Sequence, residues 1–344
     1  MIEAKFEKYT LIFEKPSGTS RGVLTTKDTY LLHLREVEKG NNRGVGECGV
    51  FRGLSFDDVP HYEEKLKWLC ENINLDKETL KEELRDFPSI WIGYEQAVAN
   101  LLYGEALYFP SDFTDGKDSV TINGLIWMSD REEMIRQIEK KIAQKYSCIK
   151  LKIGVDLESE LDILRMLRLS FPKKVLEIRV DANGAFSYDK AQMVLEQLAL
   201  RDVHSIEQPI KARNISQMAD LCRNSPIPIA LDEELIGVVE PESKRQLLQD
   251  IKPQYIILKP SLVGGFSGSD EWIEVAESLG IGWWITSALE SNIGLNAIAQ
   301  YTYTKNNPIP QGLGTGMLFV NNFQSSLILK KDKLYFEKSS KVCF

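Results

Sequence analysis

The chain has few cysteines, and they follow no pattern. Cys48, Cys70, Cys148, Cys222 and Cys343 are scattered, odd in number, and none forms a C-x-x-C pair. That argues against a disulfide framework and for a reducing compartment. Long apolar runs are missing too: none approaches the roughly 18 residues that span a bilayer. The start, Met1-Ile2-Glu3-Ala4-Lys5-Phe6, has neither the basic region nor the apolar region of a secretory signal. A cytoplasmic protein with no membrane insertion is expected. Basic charge is short as well. The net charge of −8 over 344 residues argues against nucleic acid or an anionic membrane as the main partner. It leaves room for a small anionic carboxylate substrate, because a site can be locally positive. Low-complexity tracts are absent, and nothing in the sequence bears on oligomeric state.

What is present has two textures. Residues 1–52 read as antiparallel strands, for example 5–13 and 29–35. Helical patterns follow at roughly 57–74, 77–84 and 90–105. Strands followed by helices predict an α+β domain over residues 1–115. From about residue 118, strand and helix alternate steadily. The strands read at 120–127, 148–153, 176–181, 204–207, 227–232, 255–259, 282–287 and 310–314. This alternation predicts an α/β fold, a (β/α)8 barrel over residues 116–316. The last unit lacks its helix, so (β/α)7β is the other form. Residues 326–330 and 334–336 read as a hairpin, expected to carry the segment 317–344 back to the N-terminal domain.

The chemistry is organised around Cys148-Ile149-Lys150-Leu151-Lys152-Ile153. Its apolar flanks predict a buried strand. Strand side chains alternate, so Lys150 and Lys152 share a face. Paired ammonium groups repel, which is expected to lower the pKa of at least one and make it a base. Alone, such a pair reads as the basic face of a strand. Its continuation changes that: Asp181, Glu207, Asp232 and Lys259 close the next four strands, at steps of 29, 26, 25 and 27 residues from Lys152. Barrel sites lie at those strand ends. Singly, each acid reads as a cap or turn residue, and Lys259 as a surface lysine. Together, three carboxylates aimed into one mouth between lysines predict a hard divalent cation, Mg²⁺ or Mn²⁺. Such a site can remove the proton beside a substrate carboxylate while the cation stabilises the charge that develops. Lysines on two sides of one carbon suit racemisation, cycloisomerisation or β-elimination.

This series resembles the enolase superfamily, muconate-lactonising subgroup. The resemblance implies that residues 1–115 are a capping domain and that Asp181, Glu207 and Asp232 bind the metal. Lys152 and Lys259 are implied as acid/base lysines, with Lys150 holding the substrate carboxylate and depressing the pKa of Lys152. Within the subgroup, the chain resembles the o-succinylbenzoate synthase family. The matching stretches are Thr19-Ser20-Arg21-Gly22-Val23-Leu24, Gly44-Val45-Gly46-Glu47-Cys48, Leu258-Lys259-Pro260-Ser261-Leu262-Val263-Gly264-Gly265, Ser287-Ala288-Leu289-Glu290-Ser291 and Gly312-Leu313-Gly314-Thr315-Gly316. That family dehydrates a succinyl cyclohexadiene carboxylate to an aromatic product for menaquinone biosynthesis. Arg21, Asn183, Ser261, Ser287, Gly312 and Thr315 are the candidate substrate contacts. Two positions depart from the family. Phe186 stands where tryptophan is frequent, and Gly49-Val50-Phe51-Arg52 lacks the usual proline.

Three alternatives stand beside this reading. An N-acylamino-acid racemase or a dipeptide epimerase could use the same scaffold, although no Asp-x-Asp lies near the last strand. A non-catalytic barrel serving as a binding scaffold is the third. A branch with a histidine base fits poorly. Of His33, His61 and His204, only His204 falls in the barrel strands, and it opens its strand at the wrong end.

Overall fold

The alternating period of the second half produces one parallel sheet. A computed structural model describes residues 1–19, 22–37 and 42–338. Its N-terminal part holds strands β1 (Ile2–Thr19), β2 (Gly22–Glu36) and β3 (Arg43–Cys48), then helices α1 (Tyr62–Glu71), α2 (Lys77–Glu83) and α3 (Pro88–Tyr103). The strands pair antiparallel in the order β1-β2-β3. Helix α3 starts on Pro88, which suits a first-turn position that needs no N–H donor.

Next come β4 (Ser119–Thr121), β5 (Gly124–Ile126), α4 (Arg131–Ala143), β6 (Cys148–Lys152), α5 (Leu157–Ser170), β7 (Glu177–Asp181), α6 (Tyr188–Ala199), β8 (Ser205–Glu207), α7 (Ile215–Asn224) and β9 (Ile229–Leu231). They are followed by α8 (Pro241–Ile251), β10 (Tyr255–Leu258), α9 (Gly265–Ser278), β11 (Gly282–Ile285), α10 (Asn292–Thr304), β12 (Leu327–Lys330) and β13 (Lys333–Phe336). Strands β5 to β11 form a seven-stranded parallel sheet in sequence order. Two of its helices start on side-chain caps of this kind: Asp130 accepts the Glu133 N–H, and Ser187 accepts that of Lys190.

The eighth strand position is reduced. Gln311 bridges Ile122 and Gly312 bridges Thr286, so residues 311–312 close the ring by single bridges where a full strand 310–314 was expected. This is the (β/α)7β form. The expected strand 120–127 is also split in two. Asn123 turns its N–H to the Gln311 carbonyl, at 2.9 Å, and separates β4 from β5.

The C-terminal hairpin corrects another expectation. Strand β13 pairs with β4 beside the barrel, not with the N-terminal sheet. The segment before the hairpin reaches the N-terminal sheet: Phe319 bridges Phe13, and the Val320 N–H bonds the Ile12 carbonyl at 2.9 Å. Cys48, Cys70, Cys148 and Cys222 are free thiols, while Cys343 lies outside the described residues. Among the described residues, no helix is long and apolar enough to cross a membrane.

Candidate active site

Sheet register puts the charged residues level with one another. Lys152 pairs with Asp181 across β6 and β7, and Asp181 with Glu207 across β7 and β8. Parallel strands with period-two alternation aim all of them at the same inner mouth. Lys150, Asp181, Glu207 and Asp232 are buried. The Lys150 ammonium bridges two acids, 2.7 Å from Glu207 and 3.3 Å from Asp181. Lys152 Nζ lies 2.7 Å from Asp181 and 2.6 Å from Asn183 Oδ1. On the other side, Lys259 pairs with Asp232.

Acids set the electrostatics around Lys150 and Lys259. Burial works against the charged form of Lys150, but Glu207 and Asp181 outweigh it and hold its pKa above the usual value. Lys259 is likewise raised, because Asp232 and Glu207 overcome its burial. The neighbouring ammonium is thus the weaker influence: the acids dominate. Asp181 is pushed up by burial, yet Lys152 and Lys150 bring it below the ordinary carboxylate range. Glu207 goes the other way, to about 8, through burial and the adjacent Asp181 charge.

Among the described residues, no three His, Cys, Asp or Glu side chains form a group able to hold a metal ion as they stand. The three acids take their counter-charge from Lys150, Lys152 and Lys259 instead. The chemistry of the set still suits a hard cation. All its donors are carboxylate oxygens, and Glu207 Oε1 is buried with no hydrogen-bond partner.

One cavity opens on this mouth, and its wall includes Lys150, Lys152, Asp181, Asn183 and Lys259. Ser287, Gly312 and Thr315 also line it, and the Ser287 and Thr315 hydroxyls are 2.6 Å apart. Ser261 is not in the wall: its hydroxyl bonds Glu290 at 2.6 Å. Arg21 lies outside the described residues.

The sequence reading missed two contributions. Phe51 and Leu54, from the capping domain, line the cavity together with Trp127 after β5. Gln208, fully buried, accepts the Asp232 N–H at 3.1 Å and the Glu234 N–H at 3.3 Å, while its amide donates to Glu234 at 3.1 Å. It fixes the backbone that carries Asp232. Its place directly after Glu207 was the available signal.

A parallel barrel closed by a capping domain, with lysines and acids ringed at its mouth, defines a class. The family described as Enolase C-terminal domain-like matches residues 133–323, and the chain belongs to the enolase superfamily, whose members use a divalent metal. Within it the chain falls among the o-succinylbenzoate synthases. It is 44% identical to the o-succinylbenzoate synthase of Desulfotalea psychrophila, over 95% of this chain and 96% of that one. The crystal structure of MenC from the same organism superposes with a TM-score of 0.86 at 41% identity, covering 97% of this chain and 99% of that one. The N-succinylamino acid racemase of Thermus thermophilus is 32% identical over 80% of this chain and 75% of its own length.

Proposed function

We propose that the chain removes water from 2-succinyl-6-hydroxy-2,4-cyclohexadiene-1-carboxylate to give 2-succinylbenzoate in menaquinone biosynthesis. The observation that carries this reading is that Lys152 and Lys259 line one cavity above three buried acids.

Lys152 Nζ takes the proton from the ring carbon that bears the carboxylate. The electrons of that C–H bond move into the carboxylate to give an enediolate, then return to form a ring double bond as the neighbouring C–O bond breaks. The Lys152 ammonium then protonates the departing hydroxyl, which leaves as water from an aromatic ring. One lysine serves twice, as base and then as acid. Lys259 stands over the other side of the ring, where a cation against a π face is favoured, and stabilises the developing charge. Lys150 orients the substrate carboxylate, and Asn183 holds Lys152 in place through its side-chain oxygen. Ser287 and Thr315 offer hydroxyls to the succinyl chain. Asp181, Glu207 and Asp232 would hold Mg²⁺, which when bound supplies positive charge opposite the carboxylate as it gains electrons. A cytoplasmic location belongs to the same reading.

The test is direct. Purified protein with Mg²⁺ is given the cyclohexadiene substrate, and aromatic product is followed by absorbance. Rapid dehydration is expected, abolished by a chelator and reduced about 10⁴-fold in Lys152→Ala. A second reading, N-succinylamino acid racemase, is favoured by the placement of lysines on β6 and just after β10, one for each face of a substrate carbon. Exchange of the α-hydrogen of an N-succinylamino acid in D₂O, without any dehydration of the diene, would replace the first reading with the second.

A further inference from the structure

Two carboxylates of the capping domain end inside the barrel domain, and neither takes part in the chemistry above. Glu47 on β3 is fully buried. Its Oε1 accepts the Ser291 N–H at 2.9 Å and the Thr29 hydroxyl at 2.8 Å. Its Oε2 accepts the Ser291 hydroxyl at 2.5 Å and the Gly294 N–H at 3.0 Å. Apart from Thr29 on β2, those donors are the start of α10, where Ser291 is the N-cap residue. Glu95 on α3 does the same for α9. It accepts the Phe266 N–H at 2.6 Å and the Ser267 N–H at 3.2 Å. The N-cap residue of α9, Gly264, makes no side-chain cap.

The first N–H groups of a helix have no partner within it, and the helix dipole favours negative charge there. A carboxylate from another domain satisfies both demands at once. The sequence makes room for each. A Cβ on Gly265 would lie 2.2 Å from Glu95 Oε2, and one on Gly294 would lie 2.8 Å from Glu47 Oε2. The two contacts are also tied together. Gln96, next to Glu95, accepts the Glu47 backbone N–H at 2.9 Å, so one turn of α3 supports both.

Each capped helix begins where the cavity wall ends. The turn into α9 starts at Lys259, whose carbonyl accepts the Leu262 N–H at 2.7 Å, and the Pro260 carbonyl accepts the Gly265 N–H at 2.8 Å. The loop into α10 carries Ser287, Ala288 and Leu289, all in the wall. Glu47 also precedes Phe51 and Leu54, which line the same cavity from the cap.

We infer that Glu47 and Glu95 are positioning residues that cap barrel helices from the other domain, Glu95 setting the loop that presents Lys259 and Glu47 setting the wall of Phe51 and Ser287–Leu289. This rests on the reading of Lys259 as a reacting group and of the cavity as the substrate site. Burial pushes the Glu95 carboxyl up, to about 7, against the opposing hydrogen bonds from Ser267 and Phe266.

The test compares Glu95→Gln and Glu47→Gln in the full-length protein, well below the melting temperature of each. Glu95→Gln is expected to lower kcat about tenfold with KM within threefold, and Glu47→Gln to raise KM about tenfold with kcat within threefold, the scale of one charged hydrogen bond. Hydrogen exchange measured without substrate is expected to speed up at residues 266–267 in the first variant and at 291–294 in the second. If Glu47→Gln does not fold, Gly294→Ala displaces the carboxylate while keeping its charge and must raise KM alike. Lower melting temperatures with kcat and KM unchanged would make the contacts a staple between domains and overturn the inference, as would any other division between kcat and KM. A wild-type protein that fails to dehydrate the diene would sink the functional reading, while the exchange measurement would still judge the caps.

Discussion

The two ends of the barrel both bury charge, and they handle it differently. Strand β7 contributes to each: Arg179 lies low in the barrel and Asp181 at the mouth, two residues apart on one face. At the bottom, Arg179 is 1% exposed and its groups have fixed partners. Its Nε bonds Glu177 at 2.7 Å, its Nη1 bonds the Pro310 carbonyl at 2.9 Å, and its guanidinium lies 4.2 Å from the Trp284 ring centroid. Burial pushes Glu177 up, but Arg179 and His204 together with the Cys148 thiol offset it and the carboxyl stays below its usual range. At the mouth, Glu207 sits among other acids with one oxygen unpartnered and its pKa raised. Charge that is fully paired holds the barrel together. Charge left partly unpaired beside a cavity is available for chemistry.

The sharpest way to break this comparison is Glu207→Gln. It is expected to lower turnover about 10³-fold, by removing charge that the reaction needs. The melting temperature should hold or rise, because repulsion from Asp181 is relieved. Steady-state kinetics and calorimetry on one preparation check both halves. Next in size is Arg179→Met at the other end. It is expected to cost about 3 kcal/mol of stability by breaking a buried pair, with kcat within about twofold of wild type, read by urea unfolding beside the activity assay. If either end gave the other's result, the division would fail.

The smallest effect concerns His204, beside Glu177 and Arg179 at the bottom. Burial lowers its pKa below the usual 6.5, with Glu177 pulling upward and Arg179 downward. The folded protein therefore holds fewer protons here than the unfolded chain does. Stability from this group is complete above about pH 6.5 and is lost as pH falls below it. His204→Gln is expected to flatten that part of the stability–pH curve, measured by denaturant midpoints at several pH values, while the pH profile of turnover stays as it was.

Much of the mouth was legible because barrel geometry imposes a period. Lys152, Asp181, Glu207, Asp232 and Lys259 each end or directly follow a strand, and near-equal spacing brings strand ends together whatever the helices between them do. What escaped the reading depends on partners far apart in sequence. Ser261 sits beside Lys259 in the chain, yet Glu290 claims its hydroxyl. The pKa of Lys150 follows from two acids on other strands, not from its neighbour Lys152. The β12–β13 hairpin carries no mark of its partner, and β4 takes it because that short strand offers a free edge. Phe51 and Leu54 reach the cavity only through the docking of one domain on the other.

The path of the C-terminal segment bears on how such proteins can be recombined. It leaves the barrel, lies along β1 of the cap at Phe13 and Phe319, then returns to pair with β4. The cap is therefore built from both ends of the chain, and it is not a cassette that one cut near residue 115 would release. A chimera that exchanged caps between relatives would have to carry the stretch around residues 318–321 along with its own first hundred residues, or leave an edge of the graft bare.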